Sequence, residues 1–207
     1  MTPKEIATET IRQEHRTLGA VVGVLQHLLR DIATERIEPD FRLLSAALYY
    51  IDDFPERCHH PKEERYLFRA LRARTSEFDP LLDELEAEHV TSAHTMAHLH
   101  RALVHYQADA PQALAGLRAG VDAYAAMLSE HMRKEEYLLA QAESVLTPDD
   151  WSAMAAAFQS DDDPLFGAKP RETFRRLRLR IENLLPRKMR YAGDVLSAHV
   201  TQEPHSS

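Results

Sequence analysis

A single cysteine, Cys58, means that no disulfide can form within this chain of 207 residues. Six glycines and few aromatic residues leave little of the turn and strand chemistry that builds β sandwiches or barrels. No apolar run approaches the roughly 20 residues needed to cross a bilayer. The opening segment MTPKEIATETIRQEH has no hydrophobic signal core, so the expected address is the cytoplasm, without membrane insertion. Positive charge is not in excess either. A formal net charge of -8 argues against a chain that coats nucleic acid, although twelve histidines make the charge sensitive to pH below 7.

What the sequence does have is Ala, Leu, Glu and Arg in helical patterns. Apolar residues recur at helical spacing over about 4–31, 40–73, 77–107 and 111–143, with short breaks at Glu38-Pro39-Asp40, Thr75-Ser76 and Asp109-Ala110-Pro111. Short breaks make neighbouring helices antiparallel. The predicted fold class is therefore all-α: an up-down-up-down antiparallel four-helix bundle over residues 1–146, followed by a C-terminal helical extension and flexible tail over 147–207. Thr147 to Asp150 reads as a cap before a short helix at Trp151–Phe158, and Asp161 to Pro164 as an acidic turn. A last helix is expected over about 170–185 and disorder over 203–207. The last helix is basic, with Arg171, Arg175, Arg176, Arg178 and Arg180 beside a stripe of Phe174, Leu177, Ile181 and Leu184. Packing of that stripe on the bundle is expected, with contact to an acidic partner or membrane surface as the alternative.

An internal repeat runs through the bundle. Glu14-His15 recurs as Glu88-His89, and HHPKEE from His59 recurs as HMRKEE from His131, at offsets of about 74 and 72 residues. Positions i and i+4 share a helix face, so His59 with Glu63 and His131 with Glu135 each aim an imidazole and a carboxylate the same way. Counting turns from the breaks brings both pairs, His15 and His89 to one depth. His27, His98, His100 and His105 lie too far along their helices to join them, and His94 faces elsewhere. His60 and Glu64 form a rival pair one register away. Aligning the repeats favours His59 and Glu63, while burial of Leu67, Phe68 and Leu71 also suits the other register.

Buried imidazoles and carboxylates are costly unless paired or bound to metal, and this donor set suits iron, manganese or zinc. Two carboxylates with two pairs of histidines favour a dinuclear centre over one tetrahedral zinc. A ferritin-like reading from Glu56-x-x-His59 and Glu86-x-x-His89 fits less well, because those elements fall on helices two and three rather than two and four. Solvated helix faces also carry His/Glu pairs, but four matching blocks at one depth argue against that origin. Tyr124 lies two turns before His131 and is read as core, with a hydrogen bond to a bound ligand as the alternative. Cys58 is read as a buried filler, since no second thiol exists to resolve a disulfide.

These blocks, with HHPKEERYLF at 59–68 and HMRKEEYLL at 131–139, resemble the hemerythrin-like (HHE) family over about residues 8–145. The resemblance implies a four-helix bundle in which paired carboxylates, with an oxo, hydroxo or water bridge, join two non-haem iron ions. It implies His15, His59, Glu63, His89, His131 and Glu135 as the ligands, with iron ahead of manganese or zinc. Ala93 stands where the oxygen-carrying members have a fifth histidine, and Glu135 follows His131 by four residues where they have an aspartate at five. The likeness is closer to bacterial members with four His and two Glu, some linked to iron-sulfur centre repair, nitrosative stress or peroxide handling. Fewer protein ligands leave more open positions, which favours ligand exchange over reversible O2 storage. The expected function is binding of O2, NO or a related small ligand in sensing or stress response. A redox enzyme acting on peroxide or damaged iron centres is one alternative, and a metal store or helical interaction module is another. Whether the chain is an enzyme, and whether it forms a homodimer, is left open by the sequence.

Overall fold

The computed structural model of the chain describes residues 1–108, 112–159, 163–165 and 174–184. α1 (Pro3–Ala33) opens with a capping box, in which Thr2 accepts from the Glu5 N–H and the Glu5 carboxylate accepts from the Thr2 N–H. α2 covers residues 41–74 and starts at Asp40, whose side chain accepts from the N–H groups of Arg42 and Leu43. α3 (Asp79–Gln107) and α4 (Ala113–Val145) complete the long helices. A second capping box, Thr147 with Asp150, opens α5 (Pro148–Phe158), and α6 (Arg175–Leu184) is the last described helix. There are no strands among the described residues. The observed ends lie within a few residues of those expected from periodicity. The break at 109–111, residues 161 and 162 of the acidic turn, residues 170–173 and the tail at 203–207 lie outside the described residues.

Polar cross-links give the helix directions. Lys4 with Glu143, Arg12 with Glu136 and Gln26 with Asp122 tie α1 to α4 in reversed order. Arg72 with Asp83, Glu64 with His89 and Asp52 with His100 do the same for α2 and α3. α1 packs on α4 and α2, and α3 packs on α2 and α4, so the four long helices close a ring. No described helix is long and apolar enough to cross a membrane.

The interior is divided into two apolar clusters. One holds Leu18 to Ile32 of α1, Leu44 to Phe54 of α2, Met96 to Leu103 of α3 and Leu117 to Leu128 of α4, with Leu165, Phe174 and Leu177 added from the C-terminal part. The other holds Ala7 and Ile11, Leu67 to Leu71, Leu82 and Leu85, Leu138 to Ala142, and Trp151, Met154 and Phe158 of α5. The C-terminal helices thus build the core rather than merely follow it. Each fully buried Leu or Phe contributes about 1.5–3 kcal/mol relative to exposure, and this burial lies on both sides of the layer between the clusters. On every long helix the gap between the clusters falls at the histidines: between Ile11 and Leu18, Phe54 and Leu67, Leu85 and Met96, Leu128 and Leu138.

α2 is irregular at that level. Phe41–Phe54 is α-helical, Pro55–His59 is a π turn, His60–Lys62 is a short α segment, Glu63–Phe68 is a second π turn, and Arg69–Arg74 resumes the α-helix. The His60 N–H reaches back to the Pro55 carbonyl and the Arg69 N–H to that of Glu64, five residues each way. Pro55 and Pro61 have no N–H to give to an α-type ladder, which explains why the helix widens here instead of continuing regularly.

Candidate metal centre

The six residues expected from spacing all reach the layer between the clusters, and His60 joins them. Glu63 and Glu135 are fully buried, and His15, His59, His60, His89 and His131 are each at most 8% exposed. One ligand atom from each of His15, His59, Glu63 and Glu135 gathers within 4.8 Å, and a second group of the same tightness is His60, His89 and His131. The two carboxylates lie between the groups. Glu63 turns Oε1 to His59 Nε2 at 3.3 Å and His15 Nε2 at 3.6 Å, and Oε2 to His89 Nε2 at 3.9 Å. Glu135 turns Oε2 to His15 Nε2 at 3.2 Å, and Oε1 to His131 Nε2 at 3.0 Å and His89 Nε2 at 3.7 Å.

The π turns bring both histidines inward, but of the two carboxylates only Glu63 is buried, which favours the His59/Glu63 register over His60/Glu64. Glu64 is different: it is exposed and accepts from His89 Nδ1 at 2.8 Å. It belongs to a set of carboxylates behind the imidazoles. Glu14 accepts from His59 Nδ1 at 2.7 Å and Glu88 from His131 Nδ1 at 2.9 Å. An ionised carboxylate can only accept, so each of these Nδ1 atoms carries a proton, and Nε2 is the atom that each ring turns to the centre. Lysines complete the pattern in both halves of the repeat. Lys62 holds Glu14 at 3.3 Å, and Lys134 holds Glu88. The first triad is buried beneath Phe158, whose ring lies 5.3 Å from Lys62 Nζ.

Of the ferritin-like elements, Glu86 pairs outward with Arg72, while Glu56 lies 3.5 Å from His60 Nδ1. Tyr124 is core, its hydroxyl 3.3 Å from Ser92 Oγ, and Cys58 packs partly buried against the first apolar cluster. His27 and His100 pair with Asp31 and Asp52 away from the layer.

Electrostatics in the layer follow from two buried carboxylates facing imidazoles. Burial alone would depress the His15 imidazole, but Glu135 and Glu63 raise it to about 10. His131 is raised to about 9 against its own burial by Glu135 and Glu63, and His89 is raised for the same kind of reason. Glu135, despite burial that works the other way, is held well below the usual carboxylate range by His131, His15 and His89. His60 goes the opposite way: burial and the neighbouring His89 and His59 push it well below 6.5. Protons can therefore balance the layer's charge without metal, which the sequence alone does not reveal.

Residues 6–142 match the hemerythrin HHE cation-binding domain. The chain belongs to this family. No curated protein and no solved structure gave a match. The HHE assignment makes cation binding at this layer the expected chemistry, and the donors fit it. All four carboxylate oxygens of Glu63 and Glu135, with Nε2 of His89 and His131, are buried without a hydrogen-bond partner, an arrangement that is costly unless something electropositive completes it. His15 Nε2 and His59 Nε2 are 2.9 Å apart. From the sequence His60 enters only with Glu64, as a rival to the His59/Glu63 register; the structure buries both histidines while Glu64 stays exposed.

Proposed function

We propose that this HHE protein holds two iron ions, joined by Glu63 and Glu135, and binds O2, NO or a related small ligand in sensing or stress response. The observation that carries the reading is the way each buried carboxylate divides its two oxygens between the two histidine groups. Single-ion sites have no need of two carboxylates that each face two ways. The ions would supply open positions for a diatomic ligand and, in the reduced state, electrons for it.

The chain's own residues do the rest. Glu14, Glu64 and Glu88 orient the imidazoles and fix their tautomers. The two apolar clusters keep bulk water from the layer on both sides. A surface groove of about 410 Å³, lined by Arg12, His15, Arg16, Gly19, Met132 and Glu136 among others, brings solvent to the edge of His15. That groove, between α1 and α4, offers a small ligand a short path in.

The test is metal content and optical spectrum of the full chain expressed with ample iron and purified without added metal. Two irons per chain and a visible band that appears and disappears with O2 or NO are expected. A single zinc, or no bound metal, would overturn the reading. Many turnovers of peroxide per chain would move it to a redox enzyme built on the same residues.

A further inference from the structure

We infer that Gly19 sets the rate at which a small ligand reaches this centre, through an entrance between α1 and α4. The inference rests on the reading of the centre as a binder of O2, NO or a related small ligand, and adds the route and the residue that controls it. The groove of about 410 Å³ on this seam is lined by His15, which at 8% is the most exposed side chain of the layer. Its Nε2 lies 3.2 Å from Glu135 Oε2 and 2.9 Å from His59 Nε2. One imidazole therefore separates the groove from the middle of the layer.

This seam differs from the other three in the ring. On each of those, a carboxylate of one helix accepts from the Nδ1 of an imidazole on the next: Glu14 of α1 from His59 of α2, Glu64 of α2 from His89 of α3, and Glu88 of α3 from His131 of α4. Continued round the ring, the pattern calls for a carboxylate of α4 on His15 of α1. The offset that carries His59 to His131 also carries Glu64 to Glu136, and Glu136 lines the groove with His15. It pairs instead with Arg12, one turn before His15, and among the described residues no hydrogen bond reaches His15 Nδ1. The other seams are covered as well. Phe158 lies over Lys62 beside Glu14, Phe68 stacks on His89, and Lys134 joins Glu84 to Glu88.

Gly19 stands one turn after His15 and lines the same groove, with Met132 on the α4 side. It lies in the middle of α1, where glycine weakens a helix relative to other residues. Its φ is not positive, and an added Cβ would meet only Met132 Cε, at 3.9 Å, an ordinary contact. Neither backbone conformation nor close packing requires glycine here, and the missing side chain leaves open the space beside His15. A branched side chain would reach past the Cβ position into the gap that a ligand must cross. Gly23, one turn further along, has the same freedom, since its Cβ would meet nothing within 4 Å, but it lines no part of the groove. The competing explanation is a surface dent without a role. On that account positions 19 and 23 should respond alike to a larger side chain, and as an entrance they should differ.

The experiment follows NO binding to the reduced, iron-loaded full chain by anaerobic stopped-flow spectroscopy, and measures association and dissociation rates separately. Gly19→Ala, Gly19→Leu and Gly19→Phe are compared with the unaltered protein and with Gly23→Leu, and iron content and circular dichroism are checked in each. An obstruction that does not touch the bound ligand slows entry and exit alike and leaves the affinity where it was. Both rates should therefore fall as the side chain at position 19 grows, by about tenfold or more with leucine, at unaltered Kd and iron content. Gly23→Leu should match the unaltered chain. Ser129→Phe, which fills the same groove from α4, should slow both rates in the same way, and it decides the matter if the Gly19 variants lose iron or helicity. Rates unaffected by Gly19→Leu, equal slowing by Gly23→Leu, or weaker affinity without slower association would overturn the inference. An unaltered chain that fails to bind iron, or that binds iron but no NO, would instead overturn the ligand-binding reading.

Discussion

Metal binding to this protein should expel protons, and the number expelled sets how steeply affinity depends on pH. With His15 raised to about 10 and His131 to about 9 in the metal-free chain, both imidazoles carry an extra proton at pH 7.5. An imidazole can ligate only after losing that proton. Two displaced protons make the apparent affinity rise about 100-fold per pH unit below pH 9, which corresponds to about 2.8 kcal/mol per unit. Histidines titrating near 6.5 would instead reach a plateau by about pH 7.5. The sign for stability follows. Both imidazoles have folded values above their unfolded value of about 6.5, so in the metal-free chain their pairing with Glu63 and Glu135 stabilises fully below pH 6.5. That contribution is lost as pH rises through about 9 and 10. The metal-bound chain gains over the same interval, so the two melting curves should separate by roughly 5–10 °C per pH unit between pH 6.5 and 8.5. Calorimetric titration in buffers of different ionisation enthalpy counts the protons directly. Release of less than one proton at pH 7.5, with two bound ions confirmed, would refute the reasoning.

Other consequences are narrower. Glu14→Leu removes the acceptor of His59 Nδ1 and strands the buried Lys62 charge. Metal affinity should fall about 10–100-fold and the metal-free chain should lose about 3–5 kcal/mol, read by metal titration and denaturant unfolding. Phe158→Ala empties a fully buried site in the second apolar cluster, the one that holds Trp151 and Met154, and uncovers Lys62; it should cost about 3–5 kcal/mol in the same unfolding assay while sparing metal stoichiometry. Tyr50→Phe deletes a buried hydroxyl that donates to Asp163 at 3.1 Å, linking α2 to the segment after α5; thermal melting should report a loss of about 1–3 kcal/mol without change in the metal spectrum.

How much of this could be read in the sequence depends on which regularity each feature obeys. The four long helices follow a 3.6-residue period, and their ends carry side-chain signals such as Thr2 with Glu5 and Thr147 with Asp150, so local chemistry suffices to find them. His15, His59, Glu63, His89, His131 and Glu135 could be brought to one layer because depth along a straight helix scales with residue count. The same arithmetic offered His59 and His60 as alternatives rather than together, since it assumes a constant turn, and α2 breaks that assumption twice within fourteen residues, from Pro55 to Phe68. It also treated Glu14 and Glu88 as flanking residues and Glu64 as a rival ligand. Their role depends on which helix lies opposite, and nothing in their own segments records that: Glu14 on α1 serves His59 on α2, and Glu88 on α3 serves His131 on α4. The charge balance was least legible. Pairing of His15 with Glu63 and Glu135 crosses three helices, and only their packing decides whether those imidazoles hold their protons at neutral pH. A metal ion entering the layer has to displace those protons, so loading is expected to weaken as pH falls.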